Sequence, residues 1–315
     1  MEQFMKLSPE EKEKALDAIR NMKFPIYDGC MLPKLDPLMA NTEKHMESVR
    51  NFESKESDIL LCTFGKSGTH WVHEIASMIL KGEAEYSSTG KVDVMLEIAD
   101  MDKLKDLPSP RFINTHFAFR HLPKKHVENG YKIIHVSRNP KDVMVSFYHH
   151  ALNDPFAACA EEDFPGTWSD YIQDMCENRH NFYGGFINYE REWEEAKKTK
   201  AVTNVHSAFY EDLKKNPVAE ITRLAAFLNK DLSTQLIQEI ADKCSFKNLA
   251  DATISGKKGE DLIPMFSRNK KNFIFRKGTT GDWKNWFTVA QNEMFDQMLE
   301  RGFEGSDLKF TYELN

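Results

Sequence analysis

Short apolar runs alternate along the chain with longer segments in which apolar residues recur every three or four positions. The runs predict four strands, at residues 59–64, 111–116, 131–137 and 202–210. The longer segments predict helices, some of them opened by a capping residue and a proline, as at Asn139-Pro140. The predicted helices cover residues 8–22, 69–81, 168–178, 185–198 and 289–301, and three more begin at Asn139, Asn216 and Ser233.

Strands that alternate with helices are typical of an α/β protein whose parallel sheet is covered by helices on both faces. The sequence contains no internal repeat and no low-complexity linker, so we expect a single domain over residues 1–315. Residues 24–38 are rich in proline and apolar residues and predict an ordered loop. Residues 255–271 combine two glycines with five lysine or arginine residues. We interpret them as a mobile lid, with a plain surface loop as the alternative.

Composition narrows the class of protein. The chain has 315 residues, 41% of them hydrophobic and 11% aromatic, which is enough for a large core. A net charge of −7 argues against a protein that coats nucleic acid, so any anion site has to be a local cluster. The 5 cysteines include no Cys-x-x-Cys pair, and we see no signal pattern and no membrane-spanning run. These features favour a cytoplasmic protein with free thiols and no metal.

The segment from Thr63 to Trp71 connects a predicted buried strand to an amphipathic helix through a glycine-containing loop. Such a loop points backbone N–H groups and the positive end of the helix dipole at one position. Lys66, Ser67 and Thr69 add a cation and two hydroxyl groups, a combination that suits phosphate or sulfate. The loop is not a Walker A sequence, because Leu60 stands where that motif needs glycine. An ordinary strand-to-helix turn with a solvated lysine is the alternative.

Two other strand ends and one distant loop also carry polar and basic residues. The strand ends are Asn114-Thr115-His116 and Ser137-Arg138-Asn139-Pro140, and the loop runs from Phe275 to Trp283. Because ligands of open α/β sheets bind beyond the carboxyl ends of the strands, we expect these groups to meet. A second anion site would then be formed by Arg138, Ser146, Arg276 and Lys277.

Two anion sites suit a nucleotide that bears phosphates at both ends of its ribose. Trp71 and Phe246 could sandwich the purine ring of such a nucleotide. Ordinary packing in the core is the alternative for both aromatic residues.

Several of these motifs, in this order, resemble those of the cytosolic sulfotransferases. Residues 65–69 resemble the family's 5′-phosphosulfate loop, and residues 138–142 with Ser146 resemble its 3′-phosphate segment. Arg276-Lys277-Gly278, followed by Gly281-Asp282-Trp283, resembles the family's C-terminal signature. Further matches lie at residues 209–213, at residues 245–247 and, for a short dimerisation motif, at residues 284–293. The resemblance extends over nearly the whole chain, from Phe24 to Glu304.

The resemblance implies a P-loop-related three-layer fold and a transferase activity. The implied cofactor is 3′-phosphoadenosine-5′-phosphosulfate (PAPS), whose sulfuryl group passes in line to a hydroxyl or amine. A sulfuryl group carries less negative charge than a phosphoryl group, so protein cations can manage its transfer without magnesium. Lys66 is expected to stabilise the departing 5′-phosphate oxygen and His116 to act as the general base. Ser146 is expected to bind the 3′-phosphate and to restrain Lys66.

The resemblance also implies contact residues, position by position. The implied cofactor-binding residues are Lys66, Ser67, Gly68, Thr69, His70, Trp71, Arg138, Ser146, Tyr210, Ser245, Phe246, Phe275, Arg276, Lys277 and Gly278. The implied acceptor pocket, which suits a small and mostly apolar or aromatic molecule, comprises Phe24, Tyr27, Phe117, Phe119, His149 and Phe156. A homodimer would form through Lys284, Thr288, Val289 and Glu293.

Three positions depart from the family's pattern. Phe64-Gly65 replaces a tyrosine-proline pair before the loop lysine, and we expect glycine to loosen the loop. His70 replaces a second loop threonine, which would make cofactor affinity depend on pH. Asn114 replaces a lysine two residues before the expected base, so one cation is missing at the end of that strand. The missing cation bears on the rate of the reaction more than on its class.

Three other functions stay open at this point. A P-loop nucleotide kinase or ATPase is disfavoured by the missing Walker A glycine and by the second basic loop. A non-catalytic nucleotide-binding protein on the same fold would explain the departures at His70 and Asn114. A dehydratase that sulfonates its substrate only transiently is a narrower alternative.

Overall fold

A four-stranded parallel sheet lies at the centre of the protein. The computed structural model describes residues 7–88, 90–154, 156, 166–177, 179, 181–255 and 275–314. Apart from Ser255, the segment interpreted as a mobile lid lies outside the described residues. In chain order the strands are β1 (Ile26–Tyr27), β2 (Cys30–Met31), β3 (Ile59–Thr63), β4 (Phe112–Thr115), β5 (Lys132–Ser137) and β6 (Val205–Phe209).

Helices flank the sheet and follow its strands. They are α1 (Pro9–Arg20), α2 (Asp36–Arg50), α3 (Thr69–Lys81), α4 (Met101–Asp106), α5 (Lys124–Glu128), α6 (Pro140–Ala151), α7 (Trp168–Cys176), α8 (Phe186–Lys198), α9 (Tyr210–Lys215), α10 (Pro217–Phe227), α11 (Thr234–Lys243), α12 (Phe246–Ile254) and α13 (Val289–Gly302). Short 3₁₀ turns cover Lys91–Val94, Phe119–His121 and Asp282–Asn285. The predicted α/β class with a central parallel sheet is confirmed.

Alternate residues of the central strands belong to two separate cores. Leu60, Cys62 and Ile133 pack into one apolar cluster, whereas Leu61 and Ile134 pack into the other. Successive side chains of a strand point to opposite faces, so burial of both sets requires cover on both sides of the sheet. All five residues of β3 are buried, which explains why this strand is apolar throughout and not alternating.

The order of the strands places the predicted anion loop at a particular point of the sheet. The order is β4-β3-β5-β6. The chain therefore passes from β3 to β4 on one side and then crosses back over β3 to β5 on the other side. The reversal of direction occurs next to β3, and ligands of open α/β sheets bind at such switch points. The loop from Thr63 to Trp71 follows β3 and therefore stands at this point.

Sequence patterns missed several elements. The predicted loop at residues 24–38 contains the β1–β2 hairpin, whose turn residues Asp28 and Gly29 both have positive φ. Asp-Gly is a strong hairpin signal, but the strands that it connects have only two residues each. Helix α2 was missed because it is kinked at Asn41, which breaks its apolar period. The short helices α9 and α12 were missed as well.

Three further features concern the class of protein. Within the described parts of the chain, no helix is both long enough and apolar enough to cross a membrane. Cys30, Cys62, Cys176 and Cys244 are free thiols. A search of the same residues found no group of three or more His, Cys, Asp or Glu side chains placed to hold a metal ion.

Candidate functional site

The loop between β3 and α3 has the backbone shape of an anion cradle. Lys66 has φ +70° and Gly68 has φ +108°, so the chain turns sharply before the helix begins. The Ser67 N–H donates to the Phe64 carbonyl oxygen at 3.1 Å and closes the turn. A non-glycine residue in left-handed backbone costs about 1 kcal/mol or more and persists where its surroundings hold it. The lysine is thus held at the helix N-terminus by the fold of the loop.

Lys66 is surrounded by other cations. Burial first, and then the charge of Lys91, lower the pKa of Lys66 to about 7, with Arg138 and Arg276 acting in the same direction. Asp154 opposes this shift. Crowding of positive charge of this kind disfavours the protonated lysine, and an anion that entered the site would reverse the effect.

A second basic cluster joins β5 to the C-terminal loop. The Arg138 guanidinium lies 4.1 Å from the centre of the Tyr210 ring and donates to the Lys66 carbonyl oxygen at 2.9 Å. Arg276 and Lys277 both donate to Asp282, at 2.5 and 2.7 Å. Burial raises the pKa of Asp282, but the hydrogen bonds from Lys277, Asn285 and Arg276 prevail and lower it to about 2.

Helix α6 anchors the C-terminal loop. Asp142 accepts hydrogen bonds from the backbone N–H groups of Gly281, at 2.7 Å, and Trp283, at 3.0 Å. Asn139 begins the helix by accepting the Lys141 N–H at 2.9 Å. The segments that the sequence predicted to form the second anion site are therefore joined by hydrogen bonds, although they lie about 140 residues apart in the chain.

His116 stands directly after β4 with one ring nitrogen engaged. Its Nδ1 lies 2.8 Å from the Thr63 carbonyl oxygen and 3.1 Å from Thr63 Oγ1. A carbonyl oxygen only accepts, so Nδ1 carries the proton and Nε2 presents a lone pair. Burial, followed by the charge of Lys91, holds the pKa of His116 well below its usual range. The ring is accordingly neutral at pH 7 and can take up a proton at Nε2.

Glu97 fixes the backbone of the same segment. Its Oε1 accepts from the His116 N–H at 2.5 Å and from Thr115 Oγ1 at 3.1 Å. Thr115 Oγ1 in turn accepts the Phe117 N–H at 3.0 Å. Burial raises the pKa of Glu97 to about 7. His116 is therefore oriented through its ring by Thr63 and through its backbone by Glu97.

One cavity of about 360 Å³ connects the two basic clusters to His116. This size lies within the range of small-molecule sites. The residues that line it and that the sequence assigned to the cofactor or to catalysis are Lys66, Gly68, Thr69, His70, Trp71, His116, Arg138, Ser146, Tyr210, Phe246, Phe275, Arg276, Lys277 and Gly278. Its apolar wall includes Leu35, Val92, Met95, Ile98, Phe147, Phe156, Phe182 and Tyr183. Fifteen of the residues named from the sequence thus share one cavity.

Two predicted cofactor residues lie outside the cavity wall. Ser67 is completely buried inside the loop. Ser245 caps helix α12, where its Oγ accepts the Asn248 N–H at 3.4 Å. Each holds the backbone of an element whose next residues reach the cavity. A contact with the cofactor from either serine remains a prediction.

Five of the six predicted acceptor residues do not line the cavity either; Phe156 alone does. Phe117 is fully buried in the core. The other four pack edge-on against neighbouring rings, at 4.6 to 5.3 Å between ring centres. The pairs are Phe24 with Phe182, Tyr27 with His121, Phe119 with Trp193 and His149 with Trp286. Of these neighbours, Phe182 lines the cavity, so Phe24 supports the wall from behind. A contact with the acceptor from any of the five residues remains a prediction.

Other cavity residues were not noticed in the sequence. Tyr183 lies edge-on to His116 with 5.6 Å between ring centres, and Phe182 packs on Phe147 at 5.3 Å. His150 and Asp154 form an ion pair at 3.0 Å beside Lys66. Lys91 reaches the same cavity from the 3₁₀ turn after α3. The pair at His150 and Asp154 had a signal in its i,i+4 spacing at the end of α6, although the helix stops at Ala151, whereas the others had none.

Buried polar atoms test whether the site fits a nucleotide with two anionic groups. Ser67 Oγ, in the loop after β3, has no hydrogen-bond partner among the residues that the structure describes. The same is true of Arg138 Nε, Arg276 Nε and Thr280 Oγ1 in the second cluster. Buried donors of this kind normally have partners, so the second cluster retains capacity for an anion through Arg138 and Arg276, whereas the first cluster offers the Lys66 side chain and the start of α3 to the cavity. The residues present therefore fit such a nucleotide.

Comparison with known proteins agrees with this geometry. The family model described as the sulfotransferase domain matches residues 56–307. Sulfotransferase 1B1 of Canis lupus familiaris is 34% identical over 289 residues, which are 88% of this chain and 94% of that protein. The crystal structure of mouse sulfotransferase SULT7A1 complexed with PAP is 29% identical and covers 89% of this chain and 95% of its own, with a TM-score of 0.71.

Retinol dehydratase, solved in complex with androsterone and inactive cofactor PAP, covers 96% of both chains with a TM-score of 0.73. Its identity of 19% shows a shared fold and nothing more. The match to the family model and the identity to the canine enzyme are more specific, since each spans most of the chain. This protein belongs to the sulfotransferase family.

Proposed function

We propose that the protein transfers a sulfuryl group from PAPS to a hydroxyl or amine of a small, mostly apolar or aromatic molecule. The single observation that carries this proposal is the cavity that brings the loop lysine, the second basic cluster and a neutral His116 together. A kinase or ATPase would need only one phosphate cradle, whereas this cavity joins the Lys66 loop to a second basic cluster, in which Arg138 Nε and Arg276 Nε have no partner among the residues that the structure describes.

The chain would hold the donor at its two phosphate ends. The loop at Lys66 and the N-terminus of α3 suit the 5′ end, where backbone N–H groups and the helix dipole favour negative charge. Arg138, Ser146 and the Arg276 loop suit the 3′-phosphate, with Asp282 as the group that the phosphate must displace or share. Trp71, Tyr210 and Phe246 supply aromatic surface for the adenine.

The bound donor supplies a sulfuryl group whose bond to the 5′-phosphate oxygen breaks as the acceptor oxygen or nitrogen bonds to sulfur. His116 Nε2 takes the proton that the acceptor loses, and Thr63 stabilises the resulting ring by accepting from Nδ1–H. Lys66, protonated once it is near the anion, stabilises the charge that develops on the departing oxygen. Ser146 completes the 3′-phosphate site and, as we propose, restrains Lys66 until the acceptor is bound.

The apolar wall indicates the class of acceptor. Met95, Ile98, Phe147, Phe182 and Tyr183 give apolar and aromatic surface to the cavity that His116 also lines, and Tyr183 contacts the His116 ring directly. A phenol or an alcohol on an apolar skeleton would bury its hydrocarbon there and present its hydroxyl group to Nε2.

The remaining proposals concern assembly and location. We propose a homodimer through Lys284, Thr288, Val289 and Glu293, all of which are exposed, with Val289 at 76%. A Val289→Glu variant should then remain folded and run as a monomer in gel filtration with light scattering, where the wild type runs as a dimer.

We also propose that one domain carries the whole activity and that the protein works in the cytoplasm, where its free thiols would stay reduced.

The experiment that tests the function is a transfer assay read by mass spectrometry. Wild-type protein is incubated with PAPS and a panel of phenols, steroids and aromatic amines, and in parallel with ATP and magnesium. We expect adenosine 3′,5′-bisphosphate (PAP) and a product heavier by one sulfuryl group from PAPS, and no product from ATP. Phosphorylated product would indicate a kinase. Binding of PAP without any product from the panel would indicate a nucleotide-binding protein.

A further inference from the structure

Lys91 sits on the cavity wall in a tightly held segment. It begins the 3₁₀ turn Lys91–Val94 and is only 8% exposed. Asp93 accepts the Gly90 N–H at 3.0 Å and caps the start of this turn. Asn114 Nδ2 donates to the Lys91 carbonyl oxygen at 2.7 Å, and the Asn114 carbonyl oxygen accepts the Leu96 N–H at 3.0 Å. The backbone of Lys91 is therefore fixed relative to the end of β4, two residues before His116.

The charge of Lys91 acts on the groups around the reaction centre. Burial is the main cause that lowers the pKa of Lys66, and the charge of Lys91 is the second. The pKa of His116 is lowered by the same two causes in the same order. The charge of Lys91 adds to the burial that lowers the pKa of His150, and it opposes the burial that raises the pKa of Glu97. Coulombic interactions fall with distance, so these contributions agree with the position of the residues in the fold. Lys91, Lys66 and His116 line the same cavity.

Asn114 gives this arrangement a structural origin. In the comparison of sequence motifs, Asn114 stands where the family has a lysine, so a cation is missing from the end of β4. The structure shows that the shorter amide side chain of Asn114 turns to the neighbouring segment and holds the backbone of Lys91. A lysine at position 114 lacks an amide group, and its longer side chain would have to make different contacts. The loss of one cation is thus coupled to the placement of another.

We propose that Lys91 is a second cation for the transferring sulfuryl group, contacting its oxygens together with Lys66, and that Asn114 is the positioning residue for Lys91. The inference rests on the proposed function. An ion-paired contact in a site with little water is stronger than one in bulk solvent, and it strengthens as charge develops on the oxygens. A cation fixed by the backbone of its own turn needs no rearrangement during the transfer.

The first test is independent of turnover. The imidazole pKa of His116 is measured by NMR on protein with labelled histidine, in the wild type and in Lys91→Met. We expect the pKa to rise by about 0.5 or more when the positive charge is removed, whereas Lys91→Arg leaves it nearly unchanged. Lys103→Met, at an exposed lysine of α4, is the matched control and should have no effect. An unchanged pKa in Lys91→Met would show that Lys91 does not face His116.

The second test uses the difference between two nucleotides. PAP lacks the sulfuryl group, so the affinity of Lys91→Met for PAP should stay within about twofold of the wild-type affinity. Its affinity for PAPS and its kcat should each fall about 10- to 100-fold. Lys91→Arg should retain most of the affinity for PAPS and most of kcat. Asn114→Ala should lower kcat severalfold without weakening PAP. Equal weakening of PAP and PAPS in Lys91→Met would instead assign Lys91 to a phosphate and overturn the proposal.

Together these experiments distinguish a failure of the proposed function from a failure of the proposed role of Lys91. If the wild type neither binds PAPS nor makes sulfonated product, the proposed function fails, and the inference about the sulfuryl group fails with it, whatever the NMR result. If the wild type transfers sulfuryl groups and Lys91→Met does so at the wild-type rate, the proposed function stands and the role of Lys91 is refuted. Melting temperatures of all variants are recorded, and Lys91→Gln replaces Lys91→Met if the latter does not fold.

Discussion

His116 Nδ1 lies 2.8 Å from the carbonyl oxygen of Thr63, across the pair of neighbouring strands β4 and β3. Since the carbonyl oxygen cannot donate, this contact selects the tautomer in which Nε2 is free to accept a proton. Thr63 also begins the loop that carries Lys66. His116, the proposed base, and the loop that carries Lys66 are therefore positioned by the same residue, and a shift of one moves the other.

The depressed pKa of His116 makes a prediction about the dependence of the rate on pH. Its ring stays neutral, and so competent as a base, below the pH at which an ordinary histidine is protonated. At saturating PAPS and acceptor, kcat should be flat from pH 8 to 6.5 and should fall only at lower pH. A decline in kcat with a midpoint at pH 6.5 or above would show that His116 titrates normally in the working enzyme.

Lys66 should take up a proton when the nucleotide binds. With a pKa of about 7 in the free protein, about nine-tenths of Lys66 is deprotonated at pH 8, and a bound phosphate returns the pKa toward 10.5. Calorimetric titration of PAP at pH 8, in two buffers of different ionisation enthalpy, should show uptake of nearly one proton. The uptake should fall toward zero at pH 6 and be absent in Lys66→Met. Release of protons at pH 8 would contradict the assignment.

Arg138 should distinguish the two phosphates. If its guanidinium binds the 3′-phosphate, Arg138→Ala should lower the affinity for PAP by about 10- to 100-fold, the value of one charge-assisted contact. The affinity for adenosine 5′-monophosphate, which has no 3′-phosphate, should change less than about threefold. Arg223→Ala is the matched control, because Arg223 pairs with Glu220 on α10 away from the cavity. Equal weakening of both nucleotides in Arg138→Ala would remove the 3′-phosphate from this cluster.

Gly278 should be required for the nucleotide site in a way that an unobstructed turn glycine such as Gly82 is not. It has φ +64°, and a Cβ atom there would lie 2.0 Å from the Phe246 ring. Gly278→Ala should displace Phe246 or the basic loop and weaken PAP at least about tenfold. Gly82→Ala is the control, since φ is +76° but nothing lies within 4 Å of its Cβ. Both variants should lose roughly 1 kcal/mol of stability from backbone strain. Equal affinity for PAP in the two variants would show that Phe246 and the loop are not part of the site.

Much of the fold followed from local patterns. The apolar strand β3, the glycine-containing loop and helix α3 are contiguous in sequence, so their arrangement depends on short-range signals. Ends of parallel strands meet at one edge of a sheet, and this rule brought His116 and Arg138 to the loop without knowledge of the structure.

The parts that sequence could not give depend on long-range packing. Lys91 lies in a turn whose position is set by Asn114, and no local period identifies a residue that is held in this way. Phe117 and Phe119 follow His116 directly, but the chain turns there and directs both into the core and not into the cavity. Tyr183 reaches His116 from a distant segment with φ +52°, which only the folded chain reveals.

The rate of sulfuryl transfer by His116→Ala, compared with the wild type, tests the central claim most directly. His206→Asn is the control, because that histidine packs on Phe227 outside the cavity wall. Loss of a general base reduces a rate by about 10²- to 10⁴-fold. The account predicts a loss of this size in His116→Ala, with PAP affinity unchanged and His206→Asn close to the wild type. Transfer by His116→Ala at the wild-type rate would contradict it.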